Sequence, residues 1–451
     1  WVFGNPIVKP IRQLQEETKK IKCRKFDDVQ IVNSNIKEVW ALSHSIHDMA
    51  REIKRHEKQQ EAFVESFIKL IAQAIDDKSP YTAGHCNRVP ELGMLLAEAA
   101  EKCDSGLLKD FSFANNQERR EFRIAAWLHD CGKITTPEHI VDKGTKLEAN
   151  YNRIHEVRMR FEVLWRDAEI EFLQSQLAED VDKEQALQIL RAKKAQLQED
   201  FEFVAISNVG GEFMGKEQVE RINSISQITW QRNFDDRLGL SPFEELNKPT
   251  TQRTLPATEK LLDDKPEHIQ PRIRPLEFDP KFGIKMDVPK YQYNLGELYN
   301  LSISRGTLTA EDRFKINEHM ISGIKMLEAL PFPPELSRVP RYASTHHETL
   351  KGTGYPRKLK AEDLSVPERI LVIADIFEAL TAADRPYKKA KPVSVAVDIL
   401  HKMALDKHVD MELFLLFLQS GAYLEYANKF LPESQNDKVD ITQYLTREQV
   451  A

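Results

Sequence analysis

His346-His347-Glu348-Thr349-Leu350-Lys351-Gly352-Thr353-Gly354-Tyr355-Pro356 places two adjacent histidines just ahead of a glycine-rich turn. Far upstream, Trp127-Leu128-His129-Asp130-Cys131-Gly132-Lys133 supplies a His-Asp pair followed by a lysine. Histidine is scarce, 13 in 451 residues, and no packing rule asks for paired imidazoles or for an imidazole beside a carboxylate. With His85, His319 and Asp375 these segments make a set of nitrogen and oxygen donors large enough for two metal ions. A single buried histidine is ordinarily a hydrogen-bonded core residue. Seven ordered donors reverse that reading, whereas His44, His47, His56, His139, His268, His401 and His408 keep it.

Composition narrows the field. The 64 basic and 71 acidic residues leave a formal charge of −7, and no basic tract is long enough for a polynucleotide groove, so a long nucleic acid partner is disfavoured. The four cysteines (Cys23, Cys86, Cys103, Cys131) have no CxxC spacing and read as reduced thiols. Cys86 and Cys131 flank donor histidines, but a thiolate is too soft for an oxygen- and nitrogen-rich site, and both read as packing residues. No run of about 18 apolar residues is present. The chain starts at Trp1 without an initiating methionine, which reads as a fragment or processed form, with Trp1-Val2-Phe3-Gly4 as the last turn of a membrane helix.

Helical periodicity dominates. Apolar residues recur at Ile7, Ile11, Leu14 and Ile21, then, after a polar connector over Lys22 to Ser34, at Ile36, Val39, Ile46, Ala50 and Ile53. Two short seams of this kind predict a parallel dimeric bundle. The periodicity continues through Phe63, Phe67, Ile71 and Ile75 and breaks at Ser79-Pro80. Strand signals are nearly absent, so the core is expected to be all-α. Between Trp165 and Gln292 the character changes: a charged leucine hairpin over Leu173 to Leu197, a helix from Lys216 to Trp230, then a proline-rich stretch from Pro242 to Pro289 expected to be loops and extended pieces. The expected organisation is a relay unit over 1–58, a helical domain in two parts over 59–165 and 296–430, an insertion over 166–295, and a polar tail over 431–451.

Phosphodiester hydrolysis needs a strong nucleophile and a means of holding an anionic transition state, and two cations about 3.5–4 Å apart supply both. They lower the pKa of a bridging water from about 15.7 toward 7. A His-Asp pair at one helix end suits such a centre, the histidine capping one cation and the aspartate spanning both. Ser79-Pro80-Tyr81-Thr82-Ala83-Gly84-His85-Cys86-Asn87-Arg88-Val89, the His129-Asp130 pair, the tandem histidines before Gly354-Tyr355-Pro356, and Ile373-Ala374-Asp375 followed by Phe377-Glu378-Ala379-Leu380 and Arg385-Pro386-Tyr387 together resemble an HD-GYP domain. That is a subgroup of the HD-superfamily metal-dependent phosphohydrolases. The resemblance spans about Phe63 to Trp165 and Gly296 to Tyr426. The segment from Asn5 to His56 resembles a HAMP signal-relay module.

The resemblance implies an HD-superfamily helical bundle with a large mixed helical and loop insertion, preceded by a HAMP-like dimeric bundle. It implies a bacterial phosphodiesterase that opens cyclic di-GMP to pGpG and onward to GMP. Two divalent ions (Fe, Mn, Zn or Ni) would be held, one by His85, His129, Asp130 and Asp375, the other by Asp130, His319, His346 and His347. Lys133 would face the scissile phosphate. Tyr355 and Arg385 would contact the nucleotide, and Arg88 either a phosphate or a helix-anchoring carboxylate. Homodimerisation through the N-terminal helices, signalling partners and a cytoplasmic position beneath an inner membrane follow as expectations. Alternatives are hydrolysis of another cyclic dinucleotide, and a receptor that binds without turnover.

Two Gly-Thr segments compete for the third histidine of the pattern. Gly144-Thr145-Lys146-Leu147 leads to His155 in eight steps from the leucine, and Gly306-Thr307-Leu308-Thr309 leads to His319 in eleven, the family spacing. His319 is the choice, with His155 a bystander. Lys351 stands where the family usually has aspartate, which predicts altered contacts and an intact centre. Tyr81 stands where some members place a carboxylate for a third metal, which favours two.

Overall fold

The computed structural model describes residues 7–78, 84–177, 182–211, 213–251, 253–382 and 390–445. Trp1 to Gly4, Tyr81 and Arg385 lie outside the described residues. The chain divides into two compact units, Trp1–Ile71 and Ala72–Ala451.

In the first unit, α1 (Lys9–Lys22) carries Pro10 in its opening turn, where a missing N–H leaves no bond unmade. A short 3₁₀ turn at Phe26–Asp28 follows, and then α2 (Lys37–Lys78). Leu14, Val32 and Val39 form a small core, with Ile36 and Ile46 against it. Ser43 occupies an apolar seam position because its hydroxyl accepts the Val32 N–H of the connector at 2.6 Å. Ile7, just before α1, and Ile11, Trp40, Leu42 and Met49 on the two helices remain exposed.

The second unit is helical, with four short strands among its described residues. Its elements are the C-terminal turns of α2, α3 (His85–Ala100), α4 (Asn116–Leu128), α5 (Glu138–Val141), α6 (Ile154–Ser175), α7 (Lys183–Val209), α8 (Lys216–Ser226), β1 (Thr229–Arg232), α9 (Pro242–Asn247), β2 (Ala257–Lys260), β3 (Ile269–Pro271), β4 (Tyr291–Asn294), α10 (Glu297–Leu301), α11 (Ala310–Glu328), α12 (Val339–Ala343), α13 (Val366–Thr381), α14 (Val393–Leu405), α15 (Met411–Gln419) and α16 (Ala422–Phe430). β1 pairs antiparallel with β2, and β3 with β4. α13 is the central helix: Ile370 to Ala374 and Phe377 are all buried, the signature of a helix enclosed on every side. It packs on α3 and α14, and α3 packs on α4. Gly93 lets the Phe122 ring approach, since a Cβ there would lie 3.2 Å from its Cζ. Phe122, Phe377, Phe414 and Phe417 are fully enclosed, and burial of each stabilises the bundle by about 1.5–3 kcal/mol.

A second core gathers Leu147, Ile154, Val157, Phe161, Val204, Ile222, Ile225, Leu261, Leu262 and Leu301. This core draws residues from both sides of 166–295 as well as from within it. The two flanks are tied together: Thr307 Oγ1 donates to the Lys143 carbonyl at 3.0 Å, and Lys146 Nζ donates to the carbonyls of Leu301 and Ile303 at 2.8 and 2.7 Å. Such closure lets a long insertion leave and re-enter the helical bundle without opening it.

One expected helix is shorter. The helix read to Trp230 ends at Ser226, and Thr229–Arg232 forms a strand. Ile228, Thr229 and Trp230 are β-branched or aromatic residues, which suit a pleated surface. Arg232 Nε donates to Glu259 Oε1 across the pair at 3.1 Å.

Candidate metal centre

Five segments deliver the donors. Asn115 caps α4 by accepting the N–H groups of Gln117 and Glu118 at 2.8 and 3.1 Å. The helix then runs to Leu128, and His129 and Asp130 fall at its C-terminus before a 3₁₀ turn over Cys131–Thr135. Lys78 Nζ holds that turn through the carbonyls of Ile134 and Thr136, both at 2.6 Å. α11 starts on a reciprocal cap between Thr309 and Asp312, with bonds of 3.0 and 3.1 Å, and carries His319. It packs directly on the 3₁₀ turn, where Gly132 has no side chain to block it. His346 and His347 follow α12 in a turn shaped by buried Glu348, whose carboxylate accepts the N–H groups of Arg357 and Leu359 at 2.6 and 2.9 Å. His85 opens α3 behind Gly84, whose φ of +81° suits a residue without Cβ. Gly84 offers no capping side chain. Asp76 supplies a carboxylate instead, accepting the Cys86 N–H at 3.2 Å. Asp375 projects from α13.

Asp130 is the hinge of the arrangement. Its Oδ2 lies 3.3 Å from Nε2 of both His85 and His129. Its Oδ1 lies 3.6 Å from His319 Nε2 and 3.8 Å from His346 Nε2. Asp375 Oδ1 completes the first side at 3.3 Å from His85 Nε2 and 3.6 Å from His129 Nε2. Among the described residues, three donor groups could each hold a cation: His85, His129 and Asp375; His129, Asp130 and His346; and His319, His346 and His347. The first and last are separate triads, and Asp130 turns one oxygen toward each.

The electrostatics fit a cation. Asp130 Oδ1, His319 Nε2 and His346 Nε2 are buried with no hydrogen-bond partner. Each such atom costs about 1–3 kcal/mol if left unpaired, and a divalent ion satisfies all three. The other ring nitrogens are already engaged: Nδ1 of His129, His319 and His346 bonds the carbonyls of Ala126, Ile316 and Ala343 at 2.7, 2.7 and 2.8 Å. These bonds place the proton on Nδ1 and leave Nε2 as a lone-pair donor. Burial pushes His319 down to about 4 and His346 down to about 3, so both stay neutral, as ligation requires. In His129 burial opposes the charge, but the Asp130 and Asp375 carboxylates outweigh it and raise the group to about 9. A histidine held this way exchanges its proton for a metal ion of the same sign.

The remaining expected residues fall as follows. Lys133 Nζ donates to Asp130 Oδ2 at 2.5 Å with about a third of its side chain exposed, so it sits at the rim of the cluster. Tyr355 stacks on His347, ring centroids 4.7 Å apart and planes at 24°. Arg88 pairs with Glu378, Nε to Oε1 at 2.7 Å. His155 is exposed and contacts Arg158, whereas His319 is buried among the donors. Lys351 pairs with Asp406 at the surface. Both buried thiols are held protonated, Cys131 pushed up to about 12 by burial and by Asp130.

Glu378 was not identified from sequence. Its Oε2 accepts from His85 Nδ1, and its other oxygen takes Arg88. The only signal is its place in the Phe377-Glu378-Ala379-Leu380 motif, three residues after Asp375 and therefore on the same helix face. Glu378→Gln is expected to weaken metal affinity by about 10–100-fold, because the orienting carboxylate of His85 is lost. Chelator competition measures this, and an unchanged affinity would assign Glu378 to helix packing alone.

Comparison with known proteins adds to this geometry. Residues 256–413 match the family model described as an HD domain. The matched segment contains His319, His346, His347 and Asp375, while His85, His129 and Asp130 lie before it. Among curated proteins, the chain is 41% identical over 93 residues to a 3'3'-cGAMP-specific phosphodiesterase 3 of Vibrio cholerae, covering 21% of this chain and 18% of that protein. It is 36% identical over 91 residues to a cyclic di-GMP phosphodiesterase of Thermotoga maritima, covering 20% and 24%. It is 32% identical over 120 residues to a cyclic di-GMP phosphodiesterase of Pseudomonas aeruginosa, covering 26% and 28%. The aligned parts thus span between 18% and 28% of these relatives' lengths.

Proposed function

We propose that this HD domain is a phosphodiesterase acting on a cyclic dinucleotide, with cyclic di-GMP the favoured substrate, pGpG the first product and GMP the second. The observation that carries the reading is the split of Asp130, one oxygen toward His85 and His129 and the other toward His319 and His346. Two divalent cations would be held there, one by His85, His129, Asp130 and Asp375, the other by Asp130, His319, His346 and His347. When bound, such ions supply a nucleophile at neutral pH and neutralise charge on the phosphoryl oxygens.

The chain's own groups do the rest. Lys133 keeps its proton, since Asp130 and Asp375 outweigh the burial that opposes its charge. Its rim position lets Nζ face an incoming phosphate and stabilise developing charge. Tyr355, fixed flat against His347, offers an aromatic edge at the same rim. Among the described residues no helix is long and apolar enough to cross a membrane. The exposed apolar side chains Ile7, Ile11, Trp40 and Met49 support a HAMP-like dimeric relay feeding this output domain. Light scattering is expected to give twice the 52.1 kDa chain mass, and a monomer at every concentration would refute the relay.

Protein loaded with Mn or Fe is expected to release pGpG from cyclic di-GMP, followed by chromatography, with 3'3'-cGAMP as comparison. Binding of cyclic di-GMP without any product over hours would replace this reading with a receptor. Faster turnover of 3'3'-cGAMP would keep the chemistry and reassign the substrate.

A further inference from the structure

Beside Tyr355 lies a cleft of about 880 Å³, whose lining joins the proline-rich stretch to α11 and to the Gly354-Tyr355-Pro356 turn. One wall is Met286 and Val288 from the proline-rich stretch. The opposite side includes Tyr355, the residue stacked on His347. Arg313, Phe314 and Asn317 of α11 also line it. Through Tyr355 the cleft adjoins the His347 side of the donor cluster.

The insertion wall is fastened where it matters. The Lys285 N–H donates to the Pro356 carbonyl at 2.8 Å, and Arg357 Nε donates to the Phe282 carbonyl at 2.9 Å. Lys358 Nζ reaches Asp287 at 3.2 Å. From behind, Arg272 Nε donates to the Pro289 carbonyl at 3.0 Å, and its guanidinium lies 5.0 Å from the centre of the Phe314 ring. The strap of residues 282–289 is thus latched to the Gly354-Tyr355-Pro356 turn on one side and to α11 on the other.

We infer that this cleft is the subsite for the second nucleotide of the substrate, and that the strap of residues 282–289 confers selectivity for a dinucleotide over smaller phosphodiesters. The inference rests on the phosphodiesterase reading above. A single phosphodiester needs far less room, whereas the volume lies in the upper range of small-molecule sites, about 300–1,000 Å³. The chemistry of the walls suits a nucleotide. Met286, Val288 and Phe314 offer apolar surface for a base, and exposed Arg313 offers a planar cation for a phosphate. Asn317 supplies both a donor and an acceptor.

The test uses the full 451-residue chain, its metal-loaded form, and the variants Arg313→Ala, Arg313→Lys and Val288→Asp. Two quantities are read: pGpG affinity by calorimetry, and the ratio of kcat/KM for cyclic di-GMP to that for bis(p-nitrophenyl) phosphate. Arg313→Ala and Val288→Asp are each expected to lower both by about tenfold or more, the loss of a charge-assisted phosphate contact or of an apolar wall. For cyclic di-GMP the change should fall on KM more than on kcat, and Arg313→Lys should recover part of it. Both residues are exposed or half-exposed, so thermal melting checks that folding is retained. Values within twofold of the unaltered chain in both variants would overturn the subsite. If the unaltered chain turns over no cyclic di-GMP, the phosphodiesterase reading fails separately, and calorimetry with pGpG and cyclic di-GMP alone decides whether the cleft binds nucleotide.

Discussion

Gly132→Ala is expected to abolish metal-dependent turnover although it adds a single methyl group. A Cβ at this position would lie 1.8 Å from the His319 carbonyl oxygen and 2.6 Å from the Gly323 amide nitrogen, both backbone atoms of α11. Neither can yield as a flexible side chain could, so α11 must move away from the turn that carries Asp130. His319 moves with it. A shift of about 1 Å in a reacting group costs about 10²-fold in rate, and the overpacking itself costs about 1–3 kcal/mol of stability. Gly323→Ala is the internal control. It sits on the other side of the same contact, but its Cβ would meet Cys131 Sγ and Gly132 N at an ordinary 3.6 Å. Thermal melts and turnover on cyclic di-GMP should separate the two variants sharply; equal loss in both would mean that the close crossing of α11 over the turn is not what positions His319.

Asp130→Asn is expected to cost about 10³-fold or more in turnover, about 4 kcal/mol at the barrier. An amide keeps the shape but removes the negative charge, and its nitrogen would point a donor at one of the two triads. The carboxylate is held ionised well below the usual range: burial opposes this, and Lys133 and His129 outweigh it. Its loss therefore also frees Lys133 from its partner and leaves four imidazoles facing each other without a common anion. Steady-state kinetics with each metal measures the change. Turnover within tenfold of the unaltered chain would remove Asp130 from the centre.

Much of this site was legible because its residues had no structural excuse. Tandem histidines before Gly354-Tyr355-Pro356 and a His-Asp pair after an apolar helix serve neither packing nor capping, so chemistry was the remaining explanation. Helices α11 and α13 carry local signals too, in the apolar residues that recur along Ala310–Glu328 and Val366–Thr381. What escaped depends on partners distant in the chain. Glu378 meets His85 across 293 positions, and Lys78 reaches the Cys131–Thr135 turn across more than fifty. On their own helices each reads as an ordinary surface charge. The shared core of Leu147 and Leu301 was hidden for the same reason, since they stand 154 positions apart and neither carries a local sign of the other. The proline-rich stretch was recognisable as loop, yet nothing local announces that Lys285 pairs with Pro356.

Metal content, determined on anaerobically purified protein and on Asp130→Asn prepared in parallel, bears most directly on the centre. Two divalent cations per unaltered chain are expected, with one or none retained once the shared carboxylate is neutralised. A chain that carries fewer than one equivalent after reconstitution, or a variant that keeps the full complement, would contradict a dinuclear site built around Asp130.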